Sequence, residues 1–205
     1  MEPVKTVTAK VVPLPLKDVD TDLIIPAQFL TSISREGFGK NLFSRLRQTD
    51  PEFPLNQPKY EGAQILVADS NFGCGSSREH AVWAIQGAGF KAVIAKSFAD
   101  IFYNNAAKNG LLLVVLPEPV VDRLLLEGRS GALNVTIDLA NQYVKLPLQN
   151  GEETFTFEFD QFRKHCLLNG LDDIDYIHSH TDQIRAFRTN QREQQFVCNT
   201  KRGAR

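Results

Sequence analysis

The stretch AQILVADSNFGCGSSREHAVWAIQGAGFKAVIA, residues 63–95, holds two short apolar runs separated by a glycine-rich turn and an amphipathic segment. The runs at 63–69 and 91–95 have the length and apolar content of buried strands. The apolar spacing within 78–89 is that of a helix. Because strands that alternate with helices normally lie parallel and are joined by right-handed crossovers, this stretch predicts an α/β fold.

The flanking sequence extends the pattern in both directions. The further predicted elements, in chain order, are a strand at 6–14, a loop at 17–22, a helix at 97–110, a strand at 111–117, strands within 132–148 and 153–159, a helix at 160–170 and a helix at 181–192. Residues 31–60 read as an irregular segment, and segments of that length are often functional or contact a partner. We expect one domain over residues 1–205, with a core at about 4–178 and a terminal helix and tail at about 179–205. Its strands are expected to be mixed, in three layers or a β/β/α arrangement.

Composition excludes several classes of function. Hydrophobic residues make up 42% of the chain and charged residues 23%, at a formal net charge of −1, which is typical of globular proteins and gives no electrostatic footprint for nucleic acid. No stretch approaches the ~18 apolar residues of a membrane span, and the first residues lack the apolar run of a signal peptide. Three scattered cysteines predict neither a disulfide framework nor a metal site. We therefore expect a cytoplasmic protein that binds no metal itself.

The turn NFGCGSS, followed by the helix that starts REHA, is the candidate binding site. Gly73 and Gly75 permit positive φ and allow a ligand close to the backbone, where the N–H groups of a helix N-terminus attract anions. Arg78 is placed to bind a carboxylate through two N–H groups. Ser76 would place a hydroxyl near the same positive end of the helix dipole. A purely structural alternative is equally compatible with the pattern, since Ser76 and Glu79 have the spacing of a capping box.

Three segments carry a resemblance to a known family: DVDTDLIIPAQFL, NFGCGSSREHA and KSFADIFYNNAAKNGLL. They resemble the marker segments of the aconitase-like swivelling domains, and in particular those of the small subunits of 3-isopropylmalate dehydratase. The resemblance implies a β/β/α swivelling domain that acts with a large subunit, which carries a [4Fe–4S] cluster. It implies a hydro-lyase of leucine biosynthesis that isomerises 2-isopropylmalate to 3-isopropylmalate through isopropylmaleate.

The resemblance also implies roles for individual residues. Ser76 matches the serine that acts as base, and Arg78 matches the arginine that binds a substrate carboxylate. Ser77 is expected to bind substrate or to cap the helix. Arg35 lies in the loop expected to reach the variable group of the substrate, where it is either a second substrate-binding arginine or a solvated one. Residues expected to support the site are Gly73, Gly75, Glu79, His80, Asp20, Thr21 and Asp22. Cys74 is expected to be a packed side chain rather than a nucleophile. Two alternatives stay open: a related hydro-lyase for another hydroxy acid such as homoaconitate or citrate, and an anion-binding regulatory module without chemistry.

Overall fold

The computed structural model describes residues 1–30, 37–148 and 151–202, with side chains described as far as residue 191. The chain divides into two compact units, Met1–Gly170 and Leu171–Arg205. The first unit contains every described candidate site residue.

The strands of the first unit form one mixed sheet. They are β1 (Thr6–Leu14), β2 (Ile65–Ala68), β3 (Ala92–Ala95), β4 (Leu112–Val115), β5 (Asn134–Asp138), β6 (Tyr143–Leu148) and β7 (Gly151–Thr156). Their order across the seven-stranded sheet is β4-β3-β2-β1-β5-β6-β7. The strands β1 to β4 pair in parallel, whereas β5 to β7 pair antiparallel, beginning with the pairing of β5 to β1. The first strand therefore joins the two parts, with Val11 beside Ile65 and Val7 beside Ile137.

The helices of this unit are α1 (Thr21–Ile24), α2 (Ser44–Thr49), α3 (Glu79–Gly87), α4 (Asp100–Asn109), α5 (Glu118–Glu127) and α6 (Gln161–Asn169). Alternate residues of the parallel strands face two different cores, as the period of two in a strand requires. Leu66 and Val93 face a core shared with α3 and α4. Ile65 and Ile94 face a core shared with α5, α6 and the antiparallel strands. The predicted α/β fold with a mixed sheet is thus confirmed.

Three predicted helix boundaries follow their capping signals closely. Asp160 caps α6, since its carboxylate accepts the Arg163 N–H at 2.8 Å, and Gly170 ends the helix in the left-handed conformation with φ 68°. Gly110, with φ 86°, ends α4 in the same way. The predicted start of α4 near Ser97 was early, because residues 97–99 pair with the loop after β2 before the helix begins at Asp100.

Three parts of the first unit differ from the prediction. Helix α5 was missed, although Val121, Leu124 and Leu125 carry a helical apolar spacing after the proline-rich start. The loop predicted at 17–22 ends in α1, which begins at Thr21 after the Asp20 cap. Residues 37–60 contain α2 and short 3-10 turns rather than irregular chain, and their aromatic side chains Phe38, Phe43, Phe53 and Tyr60 are buried in the core.

The second unit is helical along its described length. Helix α7 (Asp173–Ser179) starts at a capping box formed by Asp172 and Asp175, and α8 spans Thr181–Arg202. The predicted helix at 181–192 begins where expected and continues further. None of the described helices is long and apolar enough to cross a membrane.

Candidate active site

The candidate site is built on the loops that leave β1, β2 and β3 at their carboxyl ends. The Asp18 N–H donates to the Ser70 carbonyl at 3.0 Å, and the Gly73 N–H donates to the Val19 carbonyl at 2.7 Å. On the other side, the Phe72 N–H donates to the Ser97 carbonyl at 3.1 Å. The loop after β2 is therefore held between its two neighbours at the edge where ligands bind in parallel sheets.

Gly73 is required by both its conformation and its surroundings. Its φ is +80°, and a Cβ built at this position would lie 2.2 Å from Cγ of Phe102. Phe102 is buried in α4, so its ring cannot move away without disturbing the core. Gly75 also has positive φ, at +91°, but its nearest neighbour is Asp20 Cβ at 3.5 Å. We conclude that Gly73 is required both for its positive φ and for the close packing of the turn against Phe102, whereas Gly75 is required only for its positive φ.

The capping-box interpretation of Ser76 and Glu79 is wrong. Helix α3 begins at Glu79, its N-cap residue is Arg78, and no side chain caps it. Ser76 lies outside the helix on the exposed turn, and within the described residues its hydroxyl makes no hydrogen bond. Ser77 is exposed beside it. The structural alternative for Ser76 therefore loses its basis, and the hydroxyl is available to a ligand.

Arg78 is paired with Asp22. Arg78 Nη1 contacts Asp22 Oδ1, with the arginine side chain 23% exposed and the aspartate 41% exposed. A guanidinium carries five N–H donors, so this contact leaves donors for a bound carboxylate. Asp22 thus holds the charged group of Arg78 at the turn that carries Ser76.

The segment Asp20–Asp22 is joined to the turn by backbone and side-chain hydrogen bonds. The Thr21 N–H donates to the Cys74 carbonyl at 2.9 Å, and the Thr21 hydroxyl donates to the Ser76 carbonyl at 3.2 Å. Asp20 accepts the Leu23 N–H at 2.6 Å through its carboxylate and so caps α1. One short helix start therefore fixes the backbone on both sides of Gly75.

Replacing Thr21 with valine removes the hydroxyl contact to Ser76 while keeping the side-chain shape. Since Thr21 is only 1% exposed, we expect a loss of about 1 kcal/mol from the free energy of unfolding. For a chain of this size that corresponds to a fall in Tm of about 2–4 °C, measured by circular dichroism. The matched control is Thr8→Val, which removes an exposed hydroxyl contact to Thr136 on the sheet surface, where valine suits a strand. Equal melting of both variants would contradict this role of Thr21.

His80 lies in an aromatic cluster rather than among polar groups. Its ring is 4.7 Å from the Trp83 ring and 5.3 Å from the Phe38 ring, both edge-on. The contact between Phe38 and His80 holds the segment that begins at residue 37 against the start of α3.

Arg35, predicted to bind substrate, lies outside the described residues. Glu79 occupies the first turn of α3, where its charge complements the helix dipole.

The Cys74 thiol is half-buried in the turn, and burial, followed by the nearby charges of Asp20 and Asp18, raises its pKa. A raised pKa keeps the thiol protonated and unreactive, which agrees with the prediction that Cys74 is a packed side chain. The other described cysteine, Cys166, is buried in the core. Among the residues that the structure describes, no group of three or more His, Cys, Asp or Glu is arranged to hold a metal ion.

Sequence reasoning missed the partners on the β3 side of the loop. The Ser97 hydroxyl accepts the Asn71 N–H at 2.8 Å, and Asn71 donates from its side chain to Asp18 at 2.7 Å. A usable signal was the position of Lys96 and Ser97 directly after a buried strand, at the edge shared with the turn. Two cavities, of about 590 and 810 Å³, are lined by residues other than the predicted ones, although the one of 810 Å³ reaches Asp69, Ser70 and Lys96 where the loop leaves β2 and β3.

Comparison with known proteins identifies relatives along most of the chain. Residues 1–119 match the model of the aconitase C-terminal domain. The chain is 52% identical over 204 residues to a 3-isopropylmalate dehydratase small subunit of Neisseria meningitidis, covering 92% of this chain and 94% of that protein. It is 48% identical over 192 residues to the small subunit of Francisella tularensis subsp. novicida, covering 94% and 100% of the two chains.

The fold is also similar to a solved structure. The crystal structure of a 3-isopropylmalate dehydratase from Methanocaldococcus jannaschii superposes with a TM-score of 0.67 at 30% identity, covering 89% of this chain and 99% of that one.

Proposed function

Because the chain belongs to the family of 3-isopropylmalate dehydratase small subunits, we propose that its exposed Ser76–Arg78 turn completes the active site of a two-chain hydro-lyase. In this proposal the substrate is 2-isopropylmalate, the intermediate is isopropylmaleate and the product is 3-isopropylmalate. The observation that carries it is the Ser76 hydroxyl, exposed and without a hydrogen bond among the described residues, two positions before an arginine.

The turn supplies the parts that proton removal beside a carboxylate requires. Arg78 binds the carboxylate and withdraws charge from it, which acidifies the neighbouring C–H. Ser76, as an alkoxide, takes the proton and later returns one to the neighbouring position. A neutral serine hydroxyl is a weak base in water. The alkoxide that acts in its place needs stabilisation by the N-terminal N–H groups of α3 and by the Arg78 charge. Ser77 is a further hydroxyl for the substrate.

The described thiols do not fit an iron–sulfur cluster, since Cys166 is buried in the core and Cys74 sits alone in the turn. We therefore assign the [4Fe–4S] cluster, which would act as Lewis acid on the leaving hydroxyl, to the large subunit. A cytoplasmic location stays a prediction.

Reconstitution tests the proposal. The chain is mixed with a cluster-loaded large subunit of a 3-isopropylmalate dehydratase, and isopropylmaleate is followed by its ultraviolet absorbance. We expect turnover of 2-isopropylmalate only when both chains are present, and little or none with citrate or homocitrate. A complex that forms but turns over none of these acids would refute the enzymatic function, and preferred turnover of homocitrate or citrate would move the substrate to a related acid.

The same assay reports on Arg78. An Arg78→Lys variant keeps the charge but loses the planar pair of donors, so we expect KM to rise about 10–100-fold, the equivalent of one strong charged hydrogen bond. The matched control is Arg129→Lys, an exposed arginine in the turn after α5, for which KM should not change. An unchanged KM in Arg78→Lys would remove the arginine from the substrate site.

A further inference from the structure

One ammonium group forms ion pairs with three carboxylates near the point where the candidate turn leaves the sheet. Lys96 follows β3 directly, and its side chain is only 11% exposed. Its Nζ lies 2.7 Å from Asp122, 3.2 Å from Asp69 and 3.3 Å from Glu118. These hydrogen bonds, with that of Asp122 the strongest, raise the pKa of Lys96, so that it stays charged.

The three carboxylates differ in exposure. Those of Glu118 and Asp122 are 71% and 53% exposed, whereas that of Asp69 is 13% exposed. Exposed ion pairs contribute little, while an unpaired buried charge is costly. Burial would raise the pKa of Asp69, but the Ser70 N–H and Lys96 bring it below its usual value. The pair of Lys96 with Asp69 therefore contributes more to stability than the two exposed pairs, because without Lys96 the largely buried carboxylate of Asp69 would be an unpaired charge.

This pair lies where the candidate turn leaves the sheet. Asp69 directly follows β2, and its carboxylate accepts the Ser70 N–H at 2.7 Å. The Ser70 carbonyl then accepts the Asp18 N–H from the β1 loop. On the other strand, the residue after Lys96 accepts the Asn71 N–H on its hydroxyl and the Phe72 N–H on its carbonyl.

We propose that Lys96 and Asp69 form a positioning pair that sets the exit direction of the loop from β2 and thereby places Ser76 and Arg78 relative to the substrate. The inference rests on the proposed function of that turn. Neither residue touches the substrate in this proposal. Lys96 acts through Asp69 and through the adjacent Ser97, so that the loop is fixed by a side chain at its first residue and by backbone bonds at Phe72. Because a displacement of about 1 Å in a reacting group costs about 100-fold in rate, the pair controls kcat.

The test uses the reconstituted two-chain enzyme, with kcat expressed per folded complex. Lys96→Met should lower kcat about 10–100-fold. Lys96→Arg, which keeps the charge, should recover most of it. Asp69→Asn keeps an oxygen for the Ser70 N–H and should fall between the two. Hydrogen exchange of the Ser70 and Asn71 amides, measured on the isolated chain, should accelerate in Lys96→Met but not in Lys96→Arg.

Two controls separate positioning from general stability. Glu118→Gln removes an exposed carboxylate from the same ammonium and should leave kcat unchanged. Arg123→Met breaks a second ion-pair cluster, which joins α5 to β7 through Glu127 and Glu153, and should lower Tm without changing kcat per folded complex. If Lys96→Met does not fold, Asp69→Asn and the exposed Ser97→Ala decide the question by the same measurement.

The outcomes distinguish this inference from the proposed function. If wild type is inactive or Ser76→Ala is fully active, the function of the turn fails, whatever Lys96 does. If both of those tests succeed and Lys96→Met keeps kcat within about twofold while Tm falls, the pair is structural only and the positioning proposal is overturned. A loss of kcat that Lys96→Arg restores, with the controls unaffected, supports it.

Discussion

The Ser76→Ala variant is expected to assemble with the large subunit normally and to turn over 2-isopropylmalate about 100–10,000-fold more slowly, the usual contribution of a positioned acid or base. Its loss should appear in kcat, with KM changed far less, because Arg78 still binds the carboxylate. Folding should not suffer, since Ser76 is exposed and does not cap α3. Steady-state kinetics on the reconstituted complex, with Tm of the isolated chain beside it, measures both quantities.

The comparison for this variant is Ser130→Ala. Ser130 is an exposed serine in the turn after α5, and among the described residues its hydroxyl bonds only to the nearby backbone of Glu127 and Ala132. Full activity is expected there. If Ser76→Ala retained wild-type kcat, the base would have to be another residue and the exposed hydroxyl of Ser76 would have no assigned function.

The parallel half of the fold could be predicted from sequence because its signals are local. Each of β2, β3 and β4 is a short run of apolar residues whose side chains, apart from that of Val115 at the end of β4, are buried on both faces, and glycines mark the turns between them. The turn at Gly73 and Gly75 could be predicted for the same reason, since both have the positive φ for which glycine is suited.

The site contacts that were missed are contacts between segments distant in the chain. Nothing in the local pattern of GSSRE distinguishes a serine that caps a helix from one that precedes it, and the decision depends on where α3 begins. The pairing of Arg78 with Asp22, and of Lys96 with Asp69, joins loops whose proximity follows from the strand order. That order places β1 and β3 on either side of β2 and becomes known only when the sheet is assembled.

The same reasoning explains the segment 37–60, which was predicted to be irregular. Its glycines and prolines break long helices, but short 3-10 turns place Phe38, Phe43 and Phe53 in the core. The burial of these rings, rather than local propensity, determines the structure there. One close contact of the segment, between Gly39 and Gly87, has the largest expected consequence for stability.

Gly39→Ala is expected to lower the free energy of unfolding by about 3 kcal/mol or more, at the upper end of the cost of overpacking. A Cβ on Gly39 would lie 2.1 Å from the Gly87 carbonyl carbon and 2.4 Å from the Ala88 nitrogen. These are backbone atoms at the end of α3, so no rotamer change can relieve the clash. The turn must lift from the helix, which separates Phe38 from His80. A fall in Tm of about 6–12 °C should result, measured by thermal circular dichroism of the isolated chain.

Gly128→Ala is the matched control for this variant. Gly128 is also buried, and neither glycine has positive φ, so both substitutions change the conformational freedom of the unfolded chain similarly. For a Cβ on Gly128, however, the three nearest atoms would be side-chain atoms of Val11 and Pro13 at 3.4–3.5 Å, which is ordinary contact. Its Tm should stay near that of wild type, and the difference between the variants then isolates the clash. If Gly39→Ala melted within about 2 °C of Gly128→Ala, the contact between the turn and α3 would be looser than the structure shows, and the anchoring of His80 by Phe38 would lose its basis.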